Sequence, residues 1–577
     1  MSAQRKHLGA AMLALSVLAP ACLAAAHAVD SADAAHDAGV ARVLGLRAGP
    51  WRALDVATGT LLAPLPIGTL ATRAALGGSL AVGAAGAVTY ALAARLLGAC
   101  APTRSLGPCV AAIASASALL APPWQVESGS VGGSVTGALL VLLPLGVLVR
   151  AAATGSERAW SALPLVLGAA IGHEPLVGAC AVAGCAAFVA TSATARRGFA
   201  EAATDPRRAA WLLAGLLPLA VAMARARATG DPLSTALGFA WAGESGGPAV
   251  ASAAGFVGAE VGTLVGALGL LGTGLAAFVA PARPLACALA TLAATGLACG
   301  RLGSPVGPTR YGAPVLASFA SGCVLAGVAM QAIVRAVVRA RIPFARASAS
   351  MIWLLEATIP VEATDRTVTR FDERATTGTS VWDDVAWGEL PAGCVVLVTD
   401  PRLTRQSLAS AARGAIRADV TLVPVGVARR TLSIGDTDPA LLPLRRDLEL
   451  SGAPGEAALS SLAAARPVEM TYEPRWGRAV ARHLVPAAIF DRFEPEPRGT
   501  SDRVRALDAS AADRERLARA IVGDPREPRE PELADLAASL LRARAASVVA
   551  EGDPNKDLAA RTLADAHAFE PSIPLVR

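Results

Sequence analysis

The sequence is poor in charged and in aromatic side chains. Only 17% of its 577 residues are Asp, Glu, Lys or Arg, whereas an ordinary soluble domain carries about a quarter. Phe, Trp and Tyr together make up 4%, while hydrophobic residues reach 53% and the mean hydropathy is +0.48. This composition excludes an ordinary soluble enzyme. It predicts a mainly α-helical protein that crosses a lipid bilayer several times.

The sequence also lacks the patterns that bind metal or nucleic acid through cysteine or basic residues. Eight of its nine cysteines lie in or beside apolar runs, Cys394 is the exception, and no Cys-x-x-Cys pair or Cys/His ligand spacing occurs. We therefore expect small buried apolar side chains rather than a disulfide or a zinc site. The net charge is +6, but no basic stripe alternates with aromatics, so nucleic acid is not an expected partner.

Apolar runs about as long as a bilayer-spanning helix recur through the first 361 residues. We count about eleven such spans and predict one transmembrane domain over residues 1–361. Their approximate ranges are 8–28, 74–95, 106–122, 131–149, 159–172, 175–192, 209–225, 256–280, 284–300, 312–334 and 343–361. The first run ends in Ala26-His27-Ala28, so a cleaved signal peptide is an alternative to an uncleaved first span.

The distribution of arginine predicts how these spans are oriented, because cytoplasmic loops are rich in Lys and Arg. Arg5 and Lys6 place the N-terminus in the cytoplasm, and an odd number of spans places the C-terminal region outside it. We therefore expect a multi-pass protein of the inner (cytoplasmic) membrane with an extracytoplasmic tail. The first outside loop breaks the rule, and its excess of arginine indicates phosphate binding. These residues are Arg42, Arg47, Arg52 and Arg73.

The composition changes after Pro360, where short apolar runs alternate with helical patterns. Segments 395–398 and 420–423 are typical of buried strands, with a helix predicted over 404–416 between them. A third strand is predicted over 467–472, followed by a helix over 477–483. This alternation predicts a small periplasmic α/β domain over residues 362–498.

The last part of the chain, residues 499–577, is charged and rich in Ala and Leu with helical periodicity. Segments 533–550 and 557–567 are separated by Glu551-Gly552-Asp553-Pro554. We predict a helical C-terminal region that contains one helix pair of tetratricopeptide style, since one pair is too short for a repeat array.

Most candidate functional residues fall on the predicted outside face. Asp30, Asp33 and Asp37 share one face if their segment is helical, and Asp30 is favoured because it adjoins the first span. Further candidates are Glu127, His173, Glu174, Asp231, Arg301 and Arg310. Structural alternatives exist: Glu127 as an interfacial charge, His173 as a hydrogen-bonded residue at a helix break, and Asp231 as part of a turn.

Short motifs follow one another in a recognisable order along nearly the whole chain. The first are Asp30-Ser31-Ala32-Asp33, Leu44-Gly45, Leu65-Pro66-Ile67-Gly68 and Arg73. Then come Trp124-Gln125, the Gly-x-x-x-x-His helix end from Gly168 to His173, Leu217-Pro218, Gly230-Asp231-Pro232 and Gly238-Phe239. The tail adds Leu390-Pro391-Ala392-Gly393, Arg417-Ala418-Asp419-Val420, Arg466-Pro467-Val468 and Leu484-Val485-Pro486. In this order they resemble the bacterial protein O-mannosyltransferase-like family of GT-C multi-pass glycosyltransferases.

The chain departs from that family at two places in the first outside loop. Asp33 stands where the family typically has Glu, and Arg47-Ala48-Gly49-Pro50 stands where it has His-Pro-Pro-Gly.

The resemblance implies a GT-C-like fold that moves a sugar, mannose being one candidate, from a polyprenyl-phosphate donor. The acceptor would be a hydroxyl of a protein or glycan on the periplasmic side. Asp30 would be the general base of an inverting displacement, with Asp33 beside it. Arg47, Arg73 or Arg301 would neutralise the leaving phosphate, and Glu127, His173 and Asp231 would bind substrate. No cofactor is expected, because the family is generally metal-independent, although the Asp face could hold a divalent metal.

Two other functions remain open. A catalytically degenerate family member could act as a membrane-anchored binding or scaffold protein, which the missing His-Pro-Pro-Gly favours. A transporter is disfavoured because the carboxylates cluster outside rather than at mid-membrane, and no repeat with paired broken helices is evident.

Overall fold

The computed structural model describes most of the chain as two compact units. The described residues are 3–28, 53–100, 107–129, 134–228, 263–299, 312–339, 345–374, 377–425, 439–471, 473, 476, 478–524, 527–528, 530–551 and 556–570. The N-terminal unit contains those up to Glu373 except Thr69–Ala71, and the C-terminal unit contains the rest. The described chain is 81% helical and 4% strand, which confirms the predicted mainly α class.

The N-terminal unit is built from helices. They are α1 (Ala3–Ala28), α2 (Ala53–Leu62), α3 (Leu70–Cys100), α4 (Gly107–Leu119), α5 (Pro122–Gly129), α6 (Val135–Thr154), α7 (Glu157–His173), α8 (Pro175–Thr191), α9 (Ala193–Ala203), α10 (Pro206–Ala228), α11 (Thr263–Phe278), α12 (Arg283–Cys299), α13 (Ala313–Arg339) and α14 (Ala345–Arg374). Helix α14 continues past the predicted domain boundary at 361.

Several of these helices have the length and hydropathy of a membrane span. Four pass on both criteria within the described residues: α1 over His7–Ala26, α3 over Ala75–Cys100, α6 and α13. Two bent pairs raise the number to six if each pair is one span, namely α4 with α5, bent by 62°, and α8 with α9, bent by 115°. Each of the eleven predicted segments contains a helix, and the structure is compatible with a helical membrane protein.

Glycines allow these helices to approach one another closely. A side chain at Gly86 of α3 would overlap the Ser16 carbonyl oxygen of α1, and one at Gly168 of α7 would overlap the Leu212 carbonyl oxygen of α10. Small residues at crossings let helix backbones touch, which is how helices associate in lipid. Gly83 packs against Val17 and Ala21 of α1 as well, so this part of α3 contacts α1 through small residues.

The C-terminal unit contains a five-stranded mixed sheet in the order β2-β1-β3-β5-β4. Its strands are β1 (Val395–Val398), β2 (Thr421–Pro424), β3 (Val468–Met470), β4 (Leu484–Pro486) and β5 (Asp491–Phe493). Strands β1, β2 and β3 are parallel, whereas β5 is antiparallel to β3 and β4. A two-stranded ribbon, β6 (Gly523–Asp524) and β7 (Glu527–Pro528), lies outside this sheet.

Helices cover both faces of the sheet. They are α15 (Thr377–Asp383), α16 (Pro401–Arg413), α17 (Leu442–Leu450), α18 (Glu456–Ala465), α19 (Arg478–Ala481), α20 (Thr500–Ala509), α21 (Ala511–Ile521), α22 (Pro531–Glu551) and α23 (Lys556–Phe569). Val396 and Val398 share one core with Leu403 of α16. The alternate residues Val395 and Leu397 share another with α17 and α18. This alternation is the two-residue period of a strand buried on both faces.

The sheet confirms β1, β2, β3 and the intervening helix α16, and it corrects the prediction in two respects. The sequence did not predict β4 and β5, whose antiparallel pairing makes the sheet mixed. The helix predicted over 477–483 is only the four-residue α19. Strands β4 and β5 contain Pro486 and Asp491, residue types that are rare in strands.

Candidate functional site

Glu127 lies on the short helix α5 and is 2% exposed. Its Oε2 accepts a hydrogen bond from the backbone N–H of Ser134 at 3.0 Å. Ser134 is the N-cap residue of α6, so the carboxylate lies at the helix end whose free N–H groups attract negative charge. Glu127 is therefore a buried group that ties α5 to the start of α6, not a solvated interfacial charge.

Two fully buried side chains fix α5 in place. The Trp124 indole N–H donates to the Leu316 carbonyl of α13 at 3.1 Å. The Gln125 amide donates to the Leu119 carbonyl at 2.6 Å and to the Pro20 carbonyl of α1 at 3.3 Å. The Trp-Gln motif of the sequence thus anchors α5 against α1 and α13, and so determines where Glu127 lies.

His173 is the last residue of α7 and is also buried. Pro175 begins α8, and the intervening Glu174 is extended, as expected for a residue that precedes proline. The His173 Nε2 atom lies 3.9 Å from Asp55 Oδ2 of α2, and the two side chains are 1% and 9% exposed. This contact is an ion pair whenever the imidazole carries a proton.

The first turn of α6 brings Glu127 and His173 to the same place. Glu127 contacts Ser134 at the start of that turn, and a side-chain atom added to Gly137 would lie 3.5 Å from the His173 ring. Asp55 contacts His173 and is therefore also near this turn. Three segments that the sequence predicts on the outside face, the first loop, the Trp-Gln element and the helix break, therefore lie near the first turn of α6. Their carboxylates can accept hydrogen bonds from the hydroxyl groups of a ligand.

Arg73 has contacts that hold the turn between α2 and α3. Its guanidinium donates to the Ala63 carbonyl and, at 3.0 Å, to the Leu65 carbonyl. Both carbonyls follow the end of α2, where carbonyl groups lack helical partners. Gly68 enables the turn with a φ of +51°.

The other predicted site residues lie outside the described residues. Asp30, Asp33 and Arg47 fall in 29–52, Asp231 falls in 229–262, and Arg301 falls in 300–311. Their predicted roles stay predictions. Within the described part of the chain, no group of three or more His, Cys, Asp or Glu side chains could hold a metal ion.

Sequence reasoning missed two buried carboxylates of the N-terminal unit. Asp55 lies in the same predicted outside loop as Asp30 and is the one acidic residue of the apolar α2. Glu356 is 2% exposed in α14, and neither of its carboxylate oxygens has a hydrogen-bond partner among the described residues. The available signal was a single acid in an apolar stretch, which is helix α2 for Asp55 and the predicted span 343–361 for Glu356, and such a residue is a functional hypothesis.

The C-terminal unit contains ionisable groups whose pKa values depart from their ordinary ranges. Burial raises the pKa of Glu469 in β3 and that of Asp383 in α15, each to about 7. Asp383 accepts hydrogen bonds from Ser410 at 2.7 Å and from Arg413 at 2.8 Å. These contacts join secondary-structure elements, so we interpret both carboxyl groups as structural and not as part of a catalytic or ligand-binding site.

The comparisons with known proteins leave the function to be inferred from the molecule itself. No protein-family model matches the chain, and no curated protein matches it.

Proposed function

We propose that the chain is a membrane glycosyltransferase that moves a sugar from a polyprenyl-phosphate donor to an acceptor hydroxyl. The observation that carries the proposal is the meeting of Asp55, Glu127 and His173 at the first turn of α6. The motif order in the sequence is the second support. A buried group of carboxylates beside an imidazole is suited to binding sugar hydroxyls and a phosphate.

The proposal includes about eleven membrane spans, with the N-terminus in the cytoplasm of a cell whose inner membrane holds the protein. The site then lies at the extracytoplasmic ends of the helices, and the C-terminal unit lies in the same compartment. Support comes from the six helices or bent pairs that can span a bilayer. Of the remaining predicted spans, α11 and α12 are shorter apolar helices, α7 has 17 residues, and α10 and α14 are long enough at 23 and 30 residues but more polar.

The reaction is a single displacement with inversion at the sugar carbon. Asp30 takes the proton from the attacking acceptor hydroxyl, with Asp33 three residues further along the sequence. The bond between the sugar and the lipid phosphate breaks, and positive charge from Arg47, Arg301 or a protonated His173 stabilises the leaving phosphate. Asp55 holds His173 in place as a positioning residue. Arg73, whose guanidinium also holds the α2–α3 turn, is a further candidate for the phosphate.

The test is mass spectrometry of extracytoplasmic glycoproteins and glycolipids from cells with and without the protein. We expect Asp30→Asn to reduce the modified fraction at least about 100-fold, as loss of a general base does. Loss of a positioning partner is milder, so Asp55→Asn and His173→Gln should each cost about 10- to 100-fold. Glu157→Gln is the matched control, because Glu157 is 75% exposed at the other end of α7.

All four variants must be present in the membrane at the wild-type level, which immunoblotting measures. A glycosylation pattern that is the same with and without the protein contradicts the proposed activity. Full activity of Asp30→Asn, with Asp55→Asn inactive, would instead move the general base from Asp30 to Asp55.

A catalytically degenerate scaffold is the second candidate, favoured by Arg47-Ala48-Gly49-Pro50 in place of His-Pro-Pro-Gly. It predicts that the purified protein binds a polyprenyl-phosphate sugar without consuming it. Replacing residues 47–50 by His-Pro-Pro-Gly distinguishes the two functions. A gain of turnover from zero supports the scaffold, whereas turnover by the natural sequence excludes it.

A further inference from the structure

Two cysteines of the N-terminal unit lie side by side although 118 residues separate them in the sequence. The Sγ atoms of Cys180 and Cys299 are 3.7 Å apart. Cys180 is buried in α8, and Cys299 is the partly exposed last residue of α12. A disulfide has its sulfur atoms about 2 Å apart, so small side-chain rotations would bring the pair to bonding distance.

The packing of the two helices holds this pair together. Gly184, one turn beyond Cys180 on α8, faces Leu292 of α12, and a side-chain atom there would lie 2.6 Å from Leu292 Cδ2. The thiols therefore meet in a close helix–helix contact and not on mobile surface segments. Among the described residues, no other two cysteines make a thiol–thiol contact.

The side of the membrane on which the two cysteines lie decides whether their environment is oxidising. Cys180 lies five residues after Pro175, at the end of α8 where the His173–Asp55 contact is found. If the N-terminus is cytoplasmic, this end is extracytoplasmic, and disulfides persist in such oxidising compartments. The inference rests on the orientation given under the proposed function, but not on the transferase activity.

We propose that Cys180 and Cys299 form a disulfide that links α8 to α12 in the membrane-inserted protein. The oxidant is the disulfide of an extracytoplasmic thiol oxidoreductase. The Cys299 thiolate attacks one sulfur of that disulfide, and the other sulfur leaves as a thiolate. The Cys180 thiolate then attacks Cys299 Sγ and expels the oxidoreductase. The two protons lost by the cysteine thiols are taken up by the two thiolates of the oxidoreductase, so the two cysteines are oxidised and the oxidoreductase disulfide is reduced to a dithiol.

The link would have a structural consequence for the candidate site. Helix α8 begins directly after His173 and Glu174, so a covalent bond from its second turn to α12 restrains the segment that carries the imidazole. Reduction should therefore loosen the helix break at Glu174 without removing any group that contacts substrate.

The test is differential alkylation of the full-length protein taken directly from cells. Membranes are quenched in acid and denatured, free thiols are blocked with N-ethylmaleimide, and reduction then exposes oxidised cysteines to an isotopically labelled maleimide. We expect more than half of Cys180 and Cys299 to carry the second reagent. Cys185 and Cys287, on the same two helices, should carry the first.

Single variants identify the pairing. In Cys180→Ser, Cys299 should be labelled entirely by the first reagent, because it has lost its disulfide partner. In Cys185→Ser, the matched control on α8, the labelling of Cys180 and Cys299 should be the same as in the wild-type protein. The proposal is overturned if both cysteines carry the first reagent in wild-type protein from cells, or if Cys299 stays oxidised in Cys180→Ser. The labels do not depend on sugar transfer, so an inactive protein with the disulfide contradicts the proposed function alone.

Discussion

Single buried carboxylates behave differently according to their partners, and Glu469 is the most informative of them. It is 3% exposed in the middle of β3, and its Oε1 accepts a hydrogen bond from Arg492 Nε at 3.0 Å. Its Oε2 has no hydrogen-bond partner among the described residues. Burial therefore outweighs the attraction of the half-exposed Arg492 and raises the pKa of Glu469 from 4.5 to about 7.

The raised pKa predicts how the stability of the C-terminal unit depends on pH. Between pH 4.5 and about pH 7 the folded protein binds more protons at Glu469 than the unfolded chain. The contribution of Glu469 is therefore complete below pH 4.5 and is lost as the pH rises through about 7. We expect Glu469→Gln to flatten the decline in unfolding midpoint across this window, measured by urea titration at several pH values.

The same window contains Asp383, so its titration must be separated from that of Glu469. Burial raises its pKa to about 7 as well, and Asp383→Asn should remove a separate part of the decline. An infrared carbonyl band of a protonated carboxyl that is lost in Glu469→Gln identifies the group directly. A pH profile that is unchanged in Glu469→Gln would contradict the assignment.

Buried and exposed ion pairs of the C-terminal unit should differ in what they contribute. Asp491 and Arg544 lie 2.8 Å apart and are 5% and 4% exposed, and Arg544 also donates to the Ile489 and Phe490 carbonyls. Arg544 attracts the buried Asp491 carboxylate more strongly than Arg503 does, so Arg544→Met should lower the unfolding free energy by about 3–5 kcal/mol.

The comparison pair lies on the surface of the same unit. Asp508 and Arg561 are 2.7 Å apart but 59% and 53% exposed, so Asp508→Asn should cost less than about 1 kcal/mol. Urea unfolding of both variants measures the difference. Equal losses would mean that burial does not control the strength of these pairs.

At the scale of elements, the sequence predicted most clearly those whose pattern is local. Val395 to Val398 form an unbroken aliphatic run, and helix α16, predicted over 404–416, has Asp400 as its N-cap residue and Pro401 as its first residue. Strands β4 and β5 have no such local signal, because they depend on pairing with each other and with β3. Asp55 had a local signal, as the one acid of an apolar helix, but its contact with His173 joins positions 118 residues apart and has no local signal.

Helix packing around the candidate site yields a prediction that concerns α3 and α5. A methyl group at Gly78 of α3 would overlap the Ser128 carbonyl oxygen, next to Glu127 on α5. The backbone at Ser128 cannot move aside as a flexible side chain can. Gly78→Ala should therefore lower the unfolding free energy by about 1–3 kcal/mol and displace Glu127. We expect a lower thermal midpoint in detergent and reduced sugar transfer.

Helix α3 also supplies the control for this variant. A methyl group at Gly98 would meet no atom within 4 Å, so Gly98→Ala should leave the midpoint unchanged or slightly raised, since Ala favours helix over Gly. A loss in Gly98→Ala equal to that in Gly78→Ala would show that the effect comes from α3 itself rather than from its contact with α5.

At the scale of the whole molecule, the charges of the loops predict which helix ends lie on the same side of the membrane. The fold brings some of these ends close together. The rule that cytoplasmic loops are rich in arginine assigns Asp55, Glu127 and His173 to one side, and the structure gathers them at α6. What the rule cannot give is the number of spans. Helices α7 and α12 have 17 residues each, about the minimum for a bilayer, and their neighbours decide whether they cross it.

The orientation of the N-terminal unit is a prediction that the turn between α9 and α10 tests most sharply. Arg196, Arg197 and Arg207 are exposed there, whereas Arg208 is largely buried and pairs with Glu157 at 2.6 Å and with Asp205 at 3.5 Å. The exposed arginines should hold this turn in the cytoplasm. A green fluorescent protein fused after Thr204 should fluoresce, and alkaline phosphatase at the same place should be inactive.

Fusions after Gly129, beside Glu127, should give the opposite pair of results, and so should fusions after Arg577. Equal fluorescence from the Thr204 and Gly129 fusions would contradict an extracytoplasmic site, and it would also remove the oxidising environment that the Cys180–Cys299 disulfide needs.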